Sequence, residues 1–581
     1  MAAKAVLYGL ALVLSVCRAE ALPEAVVIET KNGKVEGDVI RAAEDGFAVA
    51  AFKGIPFGSA EFLKKPEPAK PWRDTLKARD WGKRCYQHQT FGRLEPLVPK
   101  DVGDQCLHLN VFAPYEKTTP RAVLVFIHGG GFSVGSSTEY GQEGIVNWLV
   151  PKGVVVVTIN YRLGPWGFFS TGNADAPGNY GLWDQTLALQ WVRDNIDRFG
   201  GDPKKVTIFG ESAGGISVSL LALSPHSQDL FQQSIVMSGS SYLPWFSPDD
   251  ENTLQAGHIL STALGCGPLK SDQGAVADAE SVVECLRGKT AEEILKALDS
   301  YRPFGKFEYV GFVPVYDKDF FPEPIEKLQA TAPPKPMISG TTSEEMVIFI
   351  IDQKTMNFEW ILKDPDSFNF DQLVEKLQYF FPEKTHHQYT RLIRHLAAHH
   401  YIDSLGDRKN DTFVLEQYIQ LFSDFLFVYP AYKEAALRHE KGSKVWLYSF
   451  AYYDDALFPK GSKVKGAQHF LELPYLFRMQ DMYHPSPFEG NDKKMKDMMT
   501  TLWTNFAIHG RPNPEQSPYR SDFTWDPITD QHPTRYLRID VQPEQKEQYN
   551  RRAVSFWHEL LPKLMAFDEA KKAGQPVKTE L

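Results

Sequence analysis

Cysteines and long apolar runs are scarce in this chain and a net positive charge is absent, and each of these features argues against a class of protein. Five cysteines among 581 residues exclude a small disulfide-rich scaffold. A formal net charge of −10 argues against a protein that binds nucleic acid or an anionic membrane through a basic face. After the N-terminal segment no run is long and apolar enough to span a bilayer, and the polar C-terminal tail excludes a GPI signal. We therefore expect no membrane anchor.

The N-terminal segment has the three parts of a secretory signal peptide. Lys4 precedes an apolar run over Ala5–Val16, and the small residues of Ala19–Ala21 offer a cleavage site. The run is too short to cross a membrane, which takes about 20 residues. We predict a signal peptide over residues 1–21, with cleavage after Ala19 as the alternative.

The other end of the chain carries a second candidate targeting signal. The last four residues, Lys578–Leu581, read KTEL and resemble the KDEL retrieval signal with one substitution. With a signal peptide at the other end, this tail predicts a protein of the endoplasmic reticulum lumen that binds the retrieval receptor; secretion is the alternative. We expect residues 22–577 to form a single domain.

Four cysteines remain once the signal peptide is removed, and they allow three pairings. Pairing neighbours in sequence joins Cys85 to Cys106 and Cys266 to Cys285, and an oxidising lumen favours both as disulfides. The sequence has no CxxC spacing, so a zinc site is disfavoured and we expect no metal. One N-glycosylation sequon starts at Asn410.

The middle of the chain alternates strand-like and helix-like segments. Apolar runs without polar alternation are typical of strands buried on both faces of a mostly parallel sheet. Residues 179–203 lie between two such runs, carry apolar side chains at roughly helical spacing and end in Gly-Gly-Asp-Pro. Strand, helix and strand in this order predict an α/β fold. Residues 250–300 and 355–440 are mainly helical in pattern, and we expect them to be insertions or caps over the sheet. The predicted strands are Ala122–Ile127, Gly153–Tyr161, Lys204–Gly210, Gln233–Gly239, Lys335–Gly340 and Lys444–Tyr453.

A strand-to-helix turn carries the candidate nucleophile. Gly210–Gly214 reads GESAG and lies between a predicted strand and a helical segment. In that place Gly-x-Ser-x-Gly is the nucleophile elbow, whose strained turn exposes the serine at the N-terminus of the helix. The pentapeptide alone is a weak pattern, but its position between these elements predicts that Ser212 is a nucleophile.

A glycine loop supplies candidate donors for an oxyanion. His128–Phe132 reads HGGGF and directly follows a predicted strand. Glycines let backbone N–H groups approach a ligand without an intervening side chain. In this arrangement the loop acts together with the N–H of the residue after the serine, which is Ala213.

A serine hydroxyl needs a base, and the base needs an orienting acid. The order serine, acid, histidine along the chain favours His469, which lies in a loop after a late strand. His395 and His399 are four residues apart but lack the glutamate of HExxH, so we interpret them as part of a surface helix. The residues alone leave three candidates for the acid, which are Glu344, Glu345 and Asp317.

Together these motifs resemble the type-B carboxylesterase family of α/β-hydrolases, which includes cholinesterases and neuroligins. The resemblance extends from FKGIPF at Phe52–Phe57 to FWHELLP at Phe556–Pro562. Its most specific block is GNYGLWDQTLALQWVRDNIDRFGGDPKKVTIFGESAGG, residues 178–215. Within the family the chain most resembles intestinal esterases of nematodes.

The resemblance implies an α/β-hydrolase fold, a mostly parallel sheet flanked by helices with helical insertions over the active-site face. The family's first two disulfides fall on the pairings given above. The family pattern has glycine after the acid where this chain has Met346, so Glu344 stays open as an alternative acid. The residues to which the resemblance assigns roles are Ser212, the acid Glu345, the base His469 and the oxyanion donors Gly130, Gly131 and Ala213.

The implied reaction is hydrolysis of a small-molecule carboxylic ester through an acyl-enzyme, with no metal or cofactor. A lipase that acts on long-chain glycerides would use the same chemistry and is the main alternative. A non-catalytic adhesion or binding protein on the same scaffold is a further alternative, although such relatives usually lose the serine.

Overall fold

The structure is a computed structural model. It describes residues 22–566 apart from 88–100, 244–250, 270–277, 301–310, 352–361, 363, 382–389, 459, 480–487, 519–521 and 565. The predicted signal peptide at 1–21 and the KTEL tail at 578–581 lie outside the described residues.

A large sheet forms the centre of the protein. Its strands are β1 Ala25–Thr30, β2 Gly33–Arg41, β3 Ala48–Pro56, β6 Leu76–Lys77, β7 His108–Pro114, β8 Arg121–Ile127, β9 Val155–Ile159, β10 Gly201–Glu211, β11 Gln233–Met237, β12 Met337–Thr342, β13 Val445–Phe450, β14 Tyr536–Ile539 and β15 Glu544–Lys546. A separate two-stranded sheet consists of β4 Gly58–Ser59 and β5 Glu67–Pro68.

The centre of the sheet is parallel and its two ends are antiparallel. The order is β1-β2-β3-β7-β9-β8-β10-β11-β12-β13-β14-β15, with β6 beside β2. Neighbouring strands from β9 to β14 are parallel. The remaining pairs along this path are antiparallel. All six predicted strands are present as β8 to β13, with ends shifted by up to three residues.

Helices flank the sheet. The α-helices are Gly164–Phe168, Tyr180–Asn195, Ala213–Leu221, Glu251–Ala263, Ala279–Arg287, Ala291–Ser300, Ile325–Thr331, Ile348–Ile351, Phe370–Phe380, Thr390–Ala398, Asp411–Ser423, Tyr429–Glu440, Pro474–Phe477, Gly490–His509 and Arg551–Ala553. The π-helical segments are Ile145–Leu149, His399–Asp403, Asp424–Val428 and Val554–Leu560. The 3₁₀-helices are Ser137–Tyr140, Val150–Lys152, Ile196–Phe199, Gln228–Leu230, Glu345–Val347, Pro365–Ser367 and Asp455–Leu457. The helices expected within 250–300 and 355–440 are present in the described parts of both segments, and the α/β class is confirmed.

The hydrophobic core lies on both faces of the sheet, which explains the uninterrupted apolar strands. In β8, Val123 and Val125 contribute to the core on one face, and Leu124 and Phe126 contribute to the core on the other. Successive side chains of a strand point to opposite faces, so a strand covered on both sides has no polar alternation.

The topology brings distant parts of the chain to one edge of the sheet. The carboxyl ends of parallel strands lie at the same edge, where open α/β sheets bind ligands. The HGGG loop follows β8 and the Ser212 turn follows β10. Glu345 follows β12, and the loop that carries His469 follows β13. The fold therefore places the predicted site residues at a common edge.

Both predicted disulfides are present, Cys85–Cys106 and Cys266–Cys285, and they close loops with sequence separations of 21 and 19. Asn410 is exposed, and its side-chain oxygen accepts a hydrogen bond of 3.1 Å from the N–H of Phe413, which caps helix Asp411–Ser423. Across the part of the chain that the structure describes, no helix combines the length and apolarity that crossing a bilayer requires.

Candidate active site

The Ser212 turn is a strained junction between a strand and a helix. β10 ends at Glu211, and Ser212 caps helix Ala213–Leu221 with φ 56° and ψ −125°, a conformation that residues with a side chain rarely adopt. The Ser212 N–H donates a 2.9 Å hydrogen bond to the carbonyl of Met237, which fastens the turn to the end of β11. The side chain is partly exposed at the N-terminus of the helix, where free N–H groups favour a developing anion.

Two glycines allow this turn to lie close to the sheet. A Cβ atom at Gly214 would stand 2.0 Å from the carbonyl oxygen of Ile127 in β8. A Cβ at Gly210 would stand 2.5 Å from the carbonyl carbon of Gly214. Any larger residue would push the helix away from the strands, so the backbone packing explains the spacing of the GESAG motif.

An imidazole and a carboxylate form the centre of the site. Nδ1 of His469 lies 2.5 Å from Oε2 of Glu345, and both side chains are buried. A carboxylate only accepts hydrogen bonds, so Nδ1 carries the proton and Nε2 is left as the basic nitrogen. The backbone supports this pair, because the N–H of His469 donates a 3.2 Å bond to the carbonyl of Glu345. The rings of Phe349 and Phe427 pack against the imidazole, with centroids 5.6 and 4.8 Å away.

Two further donors orient the Glu345 carboxylate. Its Oε1 accepts a 2.6 Å hydrogen bond from the hydroxyl of Ser238 and a 2.7 Å bond from the N–H of Thr342. The sequence analysis did not select Ser238. The position of Ser238 in the sequence could have indicated this role. Ser238 directly follows β11, which pairs with β12, so it lies at the same edge of the sheet as Glu345.

The Nε2 side of the imidazole faces the Ser212 turn. Nε2 lies 3.1 Å from Oε1 of Glu211, the residue before the serine, although the contact does not have hydrogen-bond geometry. Burial raises the pKa of Glu211 well above its usual range, and the nearby Glu345 charge raises it further. The hydroxyl of Ser212 forms no hydrogen bond within the described residues, and its contact with His469 stays a prediction.

The HGGG loop lies beside the serine. A Cβ at Gly129 would stand 3.1 Å from the Cβ of Ser212. The buried ring of His128 supports the loop, since its Nδ1 is 2.9 Å from the carbonyl oxygen of Gly129 and its face stacks on Tyr161 at 4.4 Å. Burial lowers the pKa of His128 to about 4, so this ring is neutral and acts as a support. Within the described residues, the N–H groups of Gly130 and Gly131 have no acceptor and are available to a ligand.

The sequence predicts that Gly130 is an oxyanion donor, and on that prediction Gly130→Ala should reduce kcat by about 10²–10³-fold, the usual cost of a lost oxyanion donor. Gly130 has φ 105°, and a Cβ there would stand 2.1 Å from the carbonyl oxygen of Val134, so the loop must move. Gly131→Ala is the matched control, because Gly131 has φ 59° and open space around its Cβ position. Its kcat should stay within about tenfold of wild type, given a strain of about 1–2 kcal/mol. Equal kcat values of the two variants on p-nitrophenyl butyrate would contradict the assignment.

A second buried acid lies next to the His469 loop. Glu472 is fully buried, and its Oε1 accepts a 3.1 Å hydrogen bond from the hydroxyl of Tyr448. Burial raises the pKa of Glu472 to about 8, and the charges of Glu211 and Glu345 act in the same direction. Glu472 is therefore protonated at neutral pH.

The raised pKa of Glu472 predicts a specific pH dependence of stability. Between the ordinary pKa of 4.5 and about 8, the folded protein keeps a proton that the unfolded chain releases. The unfolding free energy therefore falls as pH rises through this window, with a slope from this group of at most about 1.4 kcal/mol per pH unit. Glu472→Gln removes that slope, so its Tm should fall less steeply from pH 5 to 8. Exposed Glu323→Gln should follow wild type. Parallel Tm curves for wild type and Glu472→Gln would contradict the prediction.

The other candidate acids, Glu344 and Asp317, bind backbone N–H groups and not the imidazole of His469. Glu344 turns to the backbone of Ala467, whose N–H donates a 3.0 Å hydrogen bond to Oε2. Asp317 stabilises its own turn, because its Oδ1 accepts 3.1 Å bonds from the N–H groups of Asp319 and Phe321. His395 and His399 are exposed on the segment that begins with helix Thr390–Ala398, as expected.

Comparisons with known proteins show which family the chain resembles. The profile described as the carboxylesterase family matches residues 24–557. Gut esterase 1 of Caenorhabditis briggsae is 32% identical over 551 residues, which are 92% of each chain. Bile salt-activated lipase of Bos taurus is 33% identical over 545 residues, 89% of this chain and 84% of the other. Juvenile hormone esterase of Tribolium castaneum is 31% identical over 571 residues, 90% of this chain and 92% of the other.

Proposed function

The chain belongs to the carboxylesterase family, and we propose that it hydrolyses carboxylic esters through an acyl-enzyme formed on Ser212. The observation that carries the proposal is the 2.5 Å contact between His469 and Glu345, which leaves the second imidazole nitrogen directed at the Glu211–Ser212 turn. A serine at a strained helix N-terminus beside an oriented imidazole is the arrangement that activates a hydroxyl for attack.

In the first half of the reaction the ester acylates the enzyme. Oγ of Ser212 attacks the carbonyl carbon while Nε2 of His469 takes the hydroxyl proton. Glu345 keeps the proton on Nδ1 and stabilises the imidazolium. The carbonyl oxygen becomes an oxyanion, to which the N–H groups of Gly130, Gly131 and Ala213 donate. The bond to the leaving alcohol then breaks, and the alcohol oxygen takes the proton from Nε2.

In the second half water releases the acid. Nε2 of His469 takes a proton from a water molecule, whose oxygen attacks the acyl carbon. The same N–H groups stabilise the second oxyanion. The bond between the acyl carbon and Oγ breaks, and the proton on Nε2 returns to Ser212. The products are one carboxylic acid and one alcohol.

Activity on long-chain glycerides is a second candidate, because one of the relatives named above is a bile salt-activated lipase. Rates on p-nitrophenyl esters from acetate to palmitate separate the two functions. A carboxylesterase should be fastest on short chains and show no jump in rate when the ester exceeds its solubility. A rate that rises with chain length and increases at the solubility limit would instead favour the lipase.

We also propose that the protein resides in the endoplasmic reticulum lumen. The two disulfides support an oxidising compartment, and exposed Asn410 is accessible for glycosylation. Removing residues 578–581 should release the protein into the culture medium, and Asn410→Gln should abolish a mobility shift caused by glycosidase. Unchanged retention after the truncation would eliminate the retrieval signal.

A further inference from the structure

The adjacent residues Glu344 and Glu345 bind different partners near the candidate base, His469. Glu345 binds the imidazole, whereas the Glu344 carboxylate accepts a 3.0 Å hydrogen bond from the N–H of Ala467 and another from the hydroxyl of Ser343. We propose that Glu344 is a positioning residue that fixes the His469 loop through its carboxylate. This proposal rests on the proposed function, because it assumes that His469 is the base.

The contacts between the acid loop and the histidine loop form a continuous series. The N–H of Glu344 donates a 3.0 Å bond to the carbonyl of Ala467, and the N–H of Ala467 returns a 3.0 Å bond to Oε2 of Glu344. Two residues further on, the N–H of His469 donates to the carbonyl of Glu345. Ala467 is fully buried, so its N–H depends on a protein acceptor. Glu344 supplies that acceptor.

The residue before Ala467 is shaped to receive the carboxylate. A Cβ at Gly466 would stand 2.5 Å from Oε2 and 2.7 Å from Cδ of Glu344. Only a residue without a side chain lets the Glu344 carboxylate lie over this part of the loop. Because the blocking atoms are the flexible end of a side chain, a methyl group at Gly466 would displace the carboxylate and leave the backbone in place.

The length of the loop explains why an anchor is needed. From the end of β13 at Phe450 to helix Pro474–Phe477, the described residues contain only the short 3₁₀-helix Asp455–Leu457. Regular secondary structure therefore does little to position the described part of this segment, and catalytic groups must be held to within about 0.5 Å. A misplacement of about 1 Å costs about 10²-fold in rate. Glu344 holds the chain two residues before His469, where a small shift would change the position of Nε2.

The test is a set of variants assayed for kcat, KM and the pH profile of kcat/KM. Glu344→Ala should lower kcat by about 10- to 100-fold and leave KM within about twofold. It should also shift the acid limb of the pH profile, which reports the base. Glu344→Gln keeps an acceptor oxygen for Ala467 and should restore kcat to within about threefold of wild type. Glu323→Ala, at an exposed carboxylate, is the matched control and should behave as wild type.

A second variant keeps the test decisive if Glu344→Ala does not fold. Gly466→Ala should lower kcat by about tenfold through displacement of the carboxylate. If both variants fold, adding Gly466→Ala to Glu344→Ala should cause no further loss, because the displaced group is already absent. Additive losses would overturn the proposal, as would wild-type kcat with an unchanged pH profile in Glu344→Ala.

The experiments distinguish an error in the role of Glu344 from an error in the proposed function. If Glu344→Gln loses as much activity as Glu344→Ala, a charge at Glu344 is required and the positioning role is wrong. If the wild-type protein does not acylate Ser212 with a fluorophosphonate, the proposed function itself is wrong, whatever the Glu344 variants do.

Discussion

Ser212→Ala is expected to reduce kcat on p-nitrophenyl butyrate by about 10⁵- to 10⁶-fold, the loss seen when a serine nucleophile is removed. The remaining groups bind and polarise the ester but have no atom that forms the acyl-enzyme. The turn should keep its shape, because it depends on the Ser212 N–H bond to Met237 and on the glycines around it. The measurement is steady-state hydrolysis with a matched thermal unfolding curve.

Ser281→Ala is the control for this experiment. Ser281 is exposed on helix Ala279–Arg287, and its hydroxyl donates a hydrogen bond to Asp278 at the start of the same helix. Its kcat and Tm should match wild type closely. Hydrolysis by Ser212→Ala within about tenfold of wild type would show that another group attacks the ester.

Glu345→Gln is expected to lower kcat by about 10⁴-fold, as loss of the charge on a triad acid does elsewhere. Oε2 of Glu345 accepts the Nδ1 proton, and its Oε1 already accepts bonds from Ser238 and Thr342. The amide keeps its oxygen on those two donors and turns its NH₂ group toward His469. The imidazole then has to accept at Nδ1 and carry its proton on Nε2, so it no longer acts as a base toward Ser212.

Comparing kcat of Glu345→Gln with kcat of Glu344→Gln shows which of the two adjacent glutamates is the triad acid. We expect that variant to stay within about threefold of wild type, since an amide oxygen serves Ala467 as well as a carboxylate oxygen does. Both substitutions are isosteric, so unfolding curves should differ little. A larger loss in Glu344→Gln than in Glu345→Gln would mean that the acid is Glu344.

The central strands could be predicted because strands that are buried on both faces consist mostly of apolar residues. The buried parts of β8 to β13 contribute side chains to the core on both faces of the sheet and are mostly apolar. Strands β1, β2, β3 and β7 were not among the predicted strands. β2, GKVEGDVIR, alternates buried and half-exposed residues and contains two glycines and three charged groups before its final arginine, so its pattern is weak. It pairs antiparallel with its neighbours in sequence, β1 and β3, so the mixed composition of the strand, and not distant pairing, explains why it was missed.

The sequence predicts the nucleophile, because one turn with a visible motif positions it. It does not predict the contacts that depend on the direction in which a side chain points. The GESAG turn requires glycines at fixed positions, so its motif is visible in the sequence. Glu344 and Glu345 are adjacent, and the residues alone do not show which carboxylate reaches the imidazole; in the structure it is Glu345, at the start of the 3₁₀-turn Glu345–Val347. The bond from Ser238 to Glu345 joins residues 107 positions apart and depends on the pairing of β11 with β12.

The most direct test of the account is to identify the residue that a fluorophosphonate modifies. The wild-type protein is treated with the reagent, digested and examined by mass spectrometry. We predict one phosphonate adduct per chain, located on Ser212, whose formation is prevented by prior incubation with an ester substrate. An adduct on a different residue, or a protein that remains unmodified while it hydrolyses esters, would contradict the account.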